Sequence, residues 1–118
     1  MQQSDVAAMV SLAGSTAVVT GGGGGIGGGT SRLFAAAGAT VVVNDIDAEL
    51  AGAAVADIEA GGGTAVAVVG DIREAPTVEE LHTVATKVAG GAIDVLVNNV
   101  GDYRPNGLFA ETDEDQWA

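Results

Sequence analysis

The residues with the clearest chemical potential are the glycines at 21–25, which follow a short β-branched segment, Thr16–Thr20. A strand, a glycine-rich turn and a helix N-terminus together bind a diphosphate, because glycine lets the backbone approach the phosphates while free amides and the helix dipole supply positive potential. The spacing G-x-G-x-x-G is uninformative here, since several registers match it. A flexible linker is the alternative, but the position after a strand and before an amphipathic stretch favours a nucleotide loop.

A single acid follows the next β-branched run. Asp45 lies 24 residues after Gly21, at the C-terminal end of the second predicted strand. A carboxylate there can accept hydrogen bonds from both hydroxyls of an adenosine ribose. A 2′-phosphate would bring like charges together, at a cost of several kcal/mol at an effective dielectric constant of about 20. Asp45 therefore favours NAD over NADP, and the alternative role of capping the next helix falls to Asp47.

Longer motifs resemble those of one family. Residues 20–27 (Thr-Gly-Gly-Gly-Gly-Gly-Ile-Gly) resemble the T-G-x-x-x-G-I-G signature of the short-chain dehydrogenases/reductases, and residues 98–101 (Asn-Asn-Val-Gly) are similar to their N-N-A-G. Residues 71–72 (Asp-Ile) resemble the family's Asp-Val pair after the third strand, and residues 94–97 the strand before N-N-A-G. The resemblance extends over residues 12–117.

The resemblance implies a dinucleotide site and assigns part of the cofactor to each motif. The glycine loop faces the pyrophosphate, Asp45 binds the adenosine ribose, and the Asp71–Ile72 pair contacts the adenine. The segment after the fourth strand borders the nicotinamide, with Asn98 bracing the sheet. The implied cofactor-binding residues are Gly21, Gly23, Gly24, Gly25, Ile26, Gly27, Asp45, Ile46, Asp71, Ile72, Asn99 and Gly101.

The sequence also departs from the family pattern within these motifs. NADP-preferring members often carry a basic residue at the position of Gly24, so its absence agrees with Asp45 in implying NAD. Val100 replaces the usual alanine. Gly28 and Gly29 are expected to loosen the first helical turn by up to about 1 kcal/mol per glycine relative to alanine.

The residues that perform hydride transfer in the family have no match here. The resemblance implies a Tyr acid/base, a Lys four residues later, a Ser and an Asn, all beyond N-N-A-G. The one tyrosine, Tyr103, is followed four residues later by Gly107, and the one lysine, Lys87, lies upstream. We expect no catalytic residue, only the cofactor-binding front half of the family's domain with its C-terminal half absent. Tyr103 is interpreted as a loop residue near the cleft, with substrate contact as the alternative.

Periodicity predicts strands and helices that alternate around these motifs. The first helix is predicted from Ile26, with Ile26, Leu33, Phe34 and Ala37 on its buried face and Gly38 as its C-terminal cap. The predicted strands are residues 16–20, 40–44, 64–69 and 93–97.

The later helices carry start signals of their own. Asp47 is predicted to cap the second helix, and Thr77 to open a capping box for the third. Thr112 and the acids at 113–115 indicate a further helix start. The residues predicted to be buried on the second and third helices are Leu50, Ala54, Val55, Ile58, Leu81, Val84, Ala85 and Val88.

The order β-α-β-α-β-α-β predicts a Rossmann-type doubly wound α/β fold. Right-handed crossovers give a parallel sheet of strand order 3-2-1-4. We expect one NAD-binding domain over residues 1–118, with residues 1–11 flexible. The fourth strand would be an exposed edge through which the chain self-associates.

Composition excludes several classes of partner. Four Lys and Arg against 16 Asp and Glu give a formal charge of −12, which repels nucleic acid and anionic lipid. The absence of cysteine fits a reducing compartment, and no apolar run or basic leader indicates a membrane span or signal peptide, so we expect a cytoplasmic protein. His82 is interpreted as a solvated residue, and Glu111 with the acids at 113–115 as helix-dipole partners, so no metal site is predicted.

Three functions fit these motifs and this composition. The favoured one is an NAD-dependent oxidoreductase acting on a small-molecule alcohol or carbonyl, with this chain supplying cofactor binding. The second is a non-catalytic NAD-binding module or an inactive truncated product. The third is an S-adenosylmethionine-dependent methyltransferase, which also uses an acid after the second strand to bind ribose; the two family-like motifs argue against it.

Overall fold

The computed structural model describes residues 2–101, and four parallel strands form its single sheet. Their order is β3-β2-β1-β4, so the predicted Rossmann-type α/β fold is confirmed. The predictions for Tyr103 and for the helix start at Thr112 lie outside the described residues. The elements are α1 Gln3–Met9, β1 Thr16–Thr20, α2 Gly25–Ala36, β2 Thr40–Asp45, α3 Ala48–Ala60, β3 Thr64–Val69, α4 Ala75–Ala89 and β4 Val95–Val97.

The two central strands are buried because helices cover both faces of the sheet. All five residues of β1 are buried, and β2 is buried from Val41 onward. Alternate side chains point to opposite faces, so Val19 and Val43 pack with the cluster that includes α2 and α3. Val18 and Val42 pack with the cluster that includes α4. Both β1 and β2 are rich in valine, whose branched side chain suits a strand buried on both faces.

The buried face of α2 differs from the prediction. Ile26 and Leu33 are 84% and 68% exposed, whereas Phe34 is half-buried against the core. The helix lies so close to the glycine loop that a Cβ added at Gly28 would come within 3.1 Å of the Gly23 carbonyl oxygen. Only small side chains fit this approach. The buried residues of α2 are Gly27, Gly28, Ser31 and Ala35.

The start of α3 confirms the predicted cap. Asp47 Oδ1 accepts hydrogen bonds from the N–H groups of Glu49 and Leu50 at 2.9 and 3.2 Å. Ala54 and Ile58 are buried as predicted, and Val55 packs against the core. Leu50 is 44% exposed, and Ala51 is buried instead, so the predicted stripe is displaced by one residue at this end.

The start of α4 differs from the prediction. The helix begins at Ala75, before Thr77, and Pro76 lies in its first turn. Proline is tolerated there because the N–H groups of a first turn have no partner within the helix. Thr77 does not cap the helix; its side chain packs against Gly70. Leu81 and Ala85 are buried as predicted. Val84 is half-buried against the same cluster, and Val88 is 38% exposed.

The last described strand, β4, is shorter than predicted. The strand predicted from Ile93 begins at Val95. Asp94, the residue before it, is bonded twice to Thr16 of β1: the Asp94 carboxylate accepts from the Thr16 N–H at 2.8 Å, and the Asp94 N–H donates to the Thr16 carbonyl at 3.0 Å.

Within residues 1–11, where the sequence predicts flexibility, the short helix α1 is largely exposed. Among residues 2–101, no helix has the length and apolar character required to cross a bilayer.

Candidate cofactor-binding site

A cleft of about 690 Å³ lies at the carboxyl ends of the strands. In open α/β sheets this edge is where ligands bind, at the point where the strand order reverses. Here the reversal falls between β1 and β4. The cleft brings together seven of the twelve predicted cofactor residues: Gly21, Asp45, Ile46, Asp71, Ile72, Asn99 and Gly101.

The remaining five predicted residues stand on the glycine loop and the first turn of α2, beside the cleft and outside its lining. The loop turns sharply because Gly21 and Gly25 have φ of 61° and 58°, the left-handed region that glycine enters without steric strain. Ile26 projects into solvent from this turn. The Cα of Gly27 packs against the Gly21 carbonyl oxygen, so a side chain at residue 27 would displace the loop.

Backbone amides at the start of α2 are the loop's free donors. The first hydrogen bond of the helix runs from the Gly28 N–H to the Gly24 carbonyl at 3.0 Å. The amides of residues 24–27 therefore precede the intrahelical ladder, and none has an acceptor among the described residues. Free amides and the positive end of the helix dipole form a site for an anion without any basic side chain. This arrangement suits a diphosphate in a chain of net charge −12.

Asp45 joins the glycine loop to the end of β2. Its side chain is 9% exposed, and both carboxylate oxygens are engaged. Oδ2 accepts from the Gly23 N–H and Oδ1 from the Asp47 N–H, each at 3.0 Å. A carboxylate offers about four lone-pair sites, so each oxygen retains one for a further donor such as a ribose hydroxyl. The sequence predicted this carboxylate but not its bond to the loop.

On the side of the cleft formed by β3, Asp71 is paired with Arg73. Arg73 Nη2 and Nε donate to the Asp71 carboxylate at 2.7 and 3.0 Å, and the Arg73 N–H donates to it at 2.9 Å. These bonds lower the pKa of Asp71 from 3.8 to about 2, chiefly through the side-chain hydrogen bonds from Arg73. Asp71 is therefore ionised, and it orients a guanidinium group at the cleft. Arg73 lines the cleft but is not among the predicted site residues.

Buried Asn44 supports the same side of the cleft. Its Nδ2 donates to the carbonyls of Val68 and Gly70 at 3.0 and 3.2 Å, and its own backbone carbonyl accepts from the Gly22 N–H at 2.8 Å. Asn44 thus connects the end of β3 to the glycine loop. Its position directly after the buried valines of β2 is the signal that could have identified it, because a buried amide requires partners.

A hydroxyl group fixes the segment after β4. Thr20 Oγ1 donates to the Val97 carbonyl at 3.3 Å and accepts from the N–H groups of Asn99 and Val100 at 3.0 and 3.4 Å. Asn99 Nδ2 donates to the Gly21 carbonyl at 3.3 Å. Asn98, predicted to brace the sheet, is exposed and has no side-chain hydrogen bond within the described region. The brace is supplied by Thr20 and Asn99.

Comparison with known proteins identifies the family. The family model described as short chain dehydrogenase matches residues 15–118. The chain belongs to the short-chain dehydrogenase family. The resemblance inferred from the two motifs is therefore confirmed, and the methyltransferase alternative is set aside. The family's nicotinamide cofactor fits the free amides at the start of α2 and the acid at the end of β2.

Relatives of this short-chain dehydrogenase chain include enzymes with different cofactors and substrates. It is 43% identical over 112 residues to hydroxyacyl-CoA dehydrogenase ChsB1 of Mycobacterium tuberculosis, covering 88% of this chain and 34% of the relative. A 7α-hydroxysteroid dehydrogenase complexed with NADH and 7-oxo glycochenodeoxycholic acid matches with TM-score 0.80 and 36% identity, covering 99% of this chain and 44% of the other. A metagenomic short-chain oxidoreductase in complex with NADP matches with TM-score 0.74 and 33% identity, covering 90% and 48%. The chain thus spans less than half the length of these relatives.

Proposed function

We propose that this chain binds NAD as the cofactor-binding part of an oxidoreductase that interconverts an alcohol and a carbonyl group. The position of Asp45 carries the proposal. Its carboxylate lies at the end of β2, largely buried and bonded to the glycine loop, where it can accept from an adenosine ribose. A phosphate on the 2′-oxygen would meet this negative charge directly.

The rest of the cleft suits the other parts of the same molecule. The free amides of residues 24–27 would bind the diphosphate, and the cleft wall at Asp71 and Ile72 would contact the adenine. Asn99 and Gly101, near the loop after β1, would border the nicotinamide. Gly24 supplies no positive charge that could bind a 2′-phosphate. These features together favour NAD over NADP.

The bound cofactor would supply the hydride acceptor, and the described residues would hold it in place. The Thr20 hydroxyl and the Asn99 side chain fix the backbone at the nicotinamide end of the cleft. The sequence contains no Tyr-x-x-x-Lys, so we assign cofactor binding, not proton transfer, to these 118 residues. The names of the two dehydrogenase relatives above specify substrates that carry a hydroxyl group, which supports an alcohol or carbonyl substrate.

Calorimetric titration of the full chain with NAD and with NADP tests the proposal. NAD should bind more tightly, and Asp45→Ala should reduce that preference by about tenfold or more, since a lost charged hydrogen bond corresponds to about 1.5–3 kcal/mol. Asp57→Ala is the matched control, because Asp57 is an exposed carboxylate on α3 paired with Arg32, outside the cleft. An unchanged preference in Asp45→Ala, or tighter binding of NADP by the unmodified chain, would refute the choice of NAD.

A further inference from the structure

One peptide group of the glycine loop is held at both of its polar ends. Ser31 Oγ donates to the Gly22 carbonyl oxygen at 2.9 Å, and Asp45 Oδ2 accepts from the Gly23 N–H at 3.0 Å. The Gly22 C=O and the Gly23 N–H belong to the same planar peptide group. This group is therefore clamped between a helix side chain and the acid at the end of β2.

The clamp lies in a region closed to solvent. Ser31 is 0% exposed and Asp45 is 9% exposed. A Cβ added at Gly22 would lie 2.8 Å from Ser31 Oγ, and one added at Gly23 would lie 2.9 Å from Asp45 Oδ2. Each end of the peptide thus fits tightly against its partner. A hydrogen bond to the carbonyl polarises the peptide and strengthens the bond made by its N–H, an effect that increases at low local dielectric.

The preceding peptide group, between Gly21 and Gly22, is anchored at both of its polar ends without Ser31. The Gly22 N–H donates to the Asn44 carbonyl at 2.8 Å, and Asn99 Nδ2 donates to the Gly21 carbonyl at 3.3 Å. Loss of the Ser31 hydroxyl would therefore release one peptide plane while these other anchors of the loop remain. The released plane is the one that Asp45 contacts.

We propose that Ser31 is a positioning residue for Asp45, which it orients through the Gly22–Gly23 peptide so that the free lone pairs of the carboxylate face the adenosine ribose. This inference rests on the proposed function and adds a residue that determines ribose recognition. Ser31 itself does not line the cleft. Its effect passes through one peptide group, so a substitution of Ser31 should change how strongly Asp45 binds the ribose hydroxyls.

The first experiment needs no cofactor. Amide hydrogen exchange of the ¹⁵N-labelled full chain, followed by NMR, reports the Gly23 N–H directly. Ser31→Ala should accelerate exchange of that amide by about fivefold or more, the equivalent of one net hydrogen bond. Thr30→Ala is the matched control, because the Thr30 hydroxyl donates to the Ile26 carbonyl of its own helix at 2.8 Å in an exposed position. Equal Gly23 exchange in the Ser31 variant and the unmodified chain would overturn the proposal.

The second experiment compares NAD with its 2′-deoxyadenosine analogue, which lacks one hydroxyl that Asp45 would bind. Ser31→Ala should lower the ratio of the two affinities by about fivefold, corresponding to one net hydrogen bond. In an Asp45→Ala background the same substitution should leave the ratio unchanged. Equal loss of affinity for both ligands in the Ser31 variant would show a merely structural role and overturn the proposal.

Two controls keep the outcomes separate. If Ser31→Ala fails to fold, Ser31→Cys retains a small side chain with a weak S–H donor, and it should shift both readouts in the same direction by a smaller amount. An unchanged Gly23 exchange rate and ligand ratio in Ser31→Cys would then overturn the proposal. Failure of the unmodified chain to bind NAD would contradict the proposed function, whereas the Gly23 exchange rate would still decide whether Ser31 positions the peptide.

Discussion

Gly27, on the first turn of α2, packs directly against the carbonyl oxygen of Gly21, the residue that follows β1, and leaves no space for a Cβ. A Cβ there would also lie 2.6 Å from Asn99 Nδ2, which itself donates to that carbonyl. The contact brings together the loop after β1, the start of α2 and the segment after β4. Glycine is required at residue 27 by this close approach, not by its backbone dihedral angles.

Gly27→Ala should therefore displace the loop and weaken both the fold and the site. Overpacking of this kind costs about 1–3 kcal/mol, and the shifted amides should lower NAD affinity by at least about tenfold. Urea denaturation measures the first effect and calorimetric titration the second. Gly29→Ala is the matched control, because the space around its Cβ position is open. It should raise the free energy of unfolding by up to about 1 kcal/mol through helix propensity. Equal effects of the two substitutions would contradict the packing argument.

The order of elements and the acid at the end of β2 could be predicted from the sequence because both depend on local signals. Valine-rich runs that end in an acid or are followed by glycine mark the first three strands, and Asp47 caps α3 as its sequence position indicates. Right-handed crossovers then determine the strand order. These features do not depend on the distances between elements.

The buried face of α2 could not be predicted in the same way, because apolar residues are not the ones that face the loop. The close approach of helix and loop selects Gly27 and Ser31, whereas Leu33 is exposed. Arg73 and Thr20 were missed for a related reason. Their roles depend on hydrogen bonds to Asp71 and to the segment after β4, and sequence spacing contains no information on these contacts.

The Asp71–Arg73 pair predicts a dependence of stability on pH. Arg73 lowers the pKa of Asp71 from 3.8 to about 2. Because the folded pKa is depressed, the stabilisation is fully present above pH of about 4 and is lost as the pH falls toward 2. Arg73→Ala should return the pKa of Asp71 toward 3.8, as measured by carboxyl ¹³C NMR titration. Arg32→Ala, which breaks the exposed pair with Asp57, should leave the Asp71 titration unaltered.

The Thr20 hydroxyl predicts a stability difference between two conservative variants. Thr20→Val keeps the shape of the side chain but leaves the Val97 carbonyl and the Asn99 N–H without this partner, at a cost of about 1–3 kcal/mol. Thr20→Ser retains the hydroxyl and loses one methyl group, at about 0.8 kcal/mol. Urea denaturation should therefore rank the serine variant as more stable than the valine variant. The reverse order would show that packing at this buried site outweighs the hydrogen bonds.

The exposed edge at β4 predicts self-association of the chain. Within residues 2–101, β4 pairs only with β1, and Leu96 is 59% exposed beside an apolar groove of about 540 Å³ that includes Val18 and Leu81. An apolar strand edge of this kind is a template for pairing with a second copy. Sedimentation velocity should show a concentration-dependent increase in average mass, which Leu96→Lys should reduce.

Leu33→Lys is the matched control for this edge, because Leu33 is also an exposed leucine, at 68%, but lies on α2. It should leave the association unchanged if β4 is the contact surface. A lysine on an edge strand opposes pairing by bringing like charges together in the associated form. A monomer at every concentration, or equal reductions by the two lysines, would show that the β4 edge does not drive association.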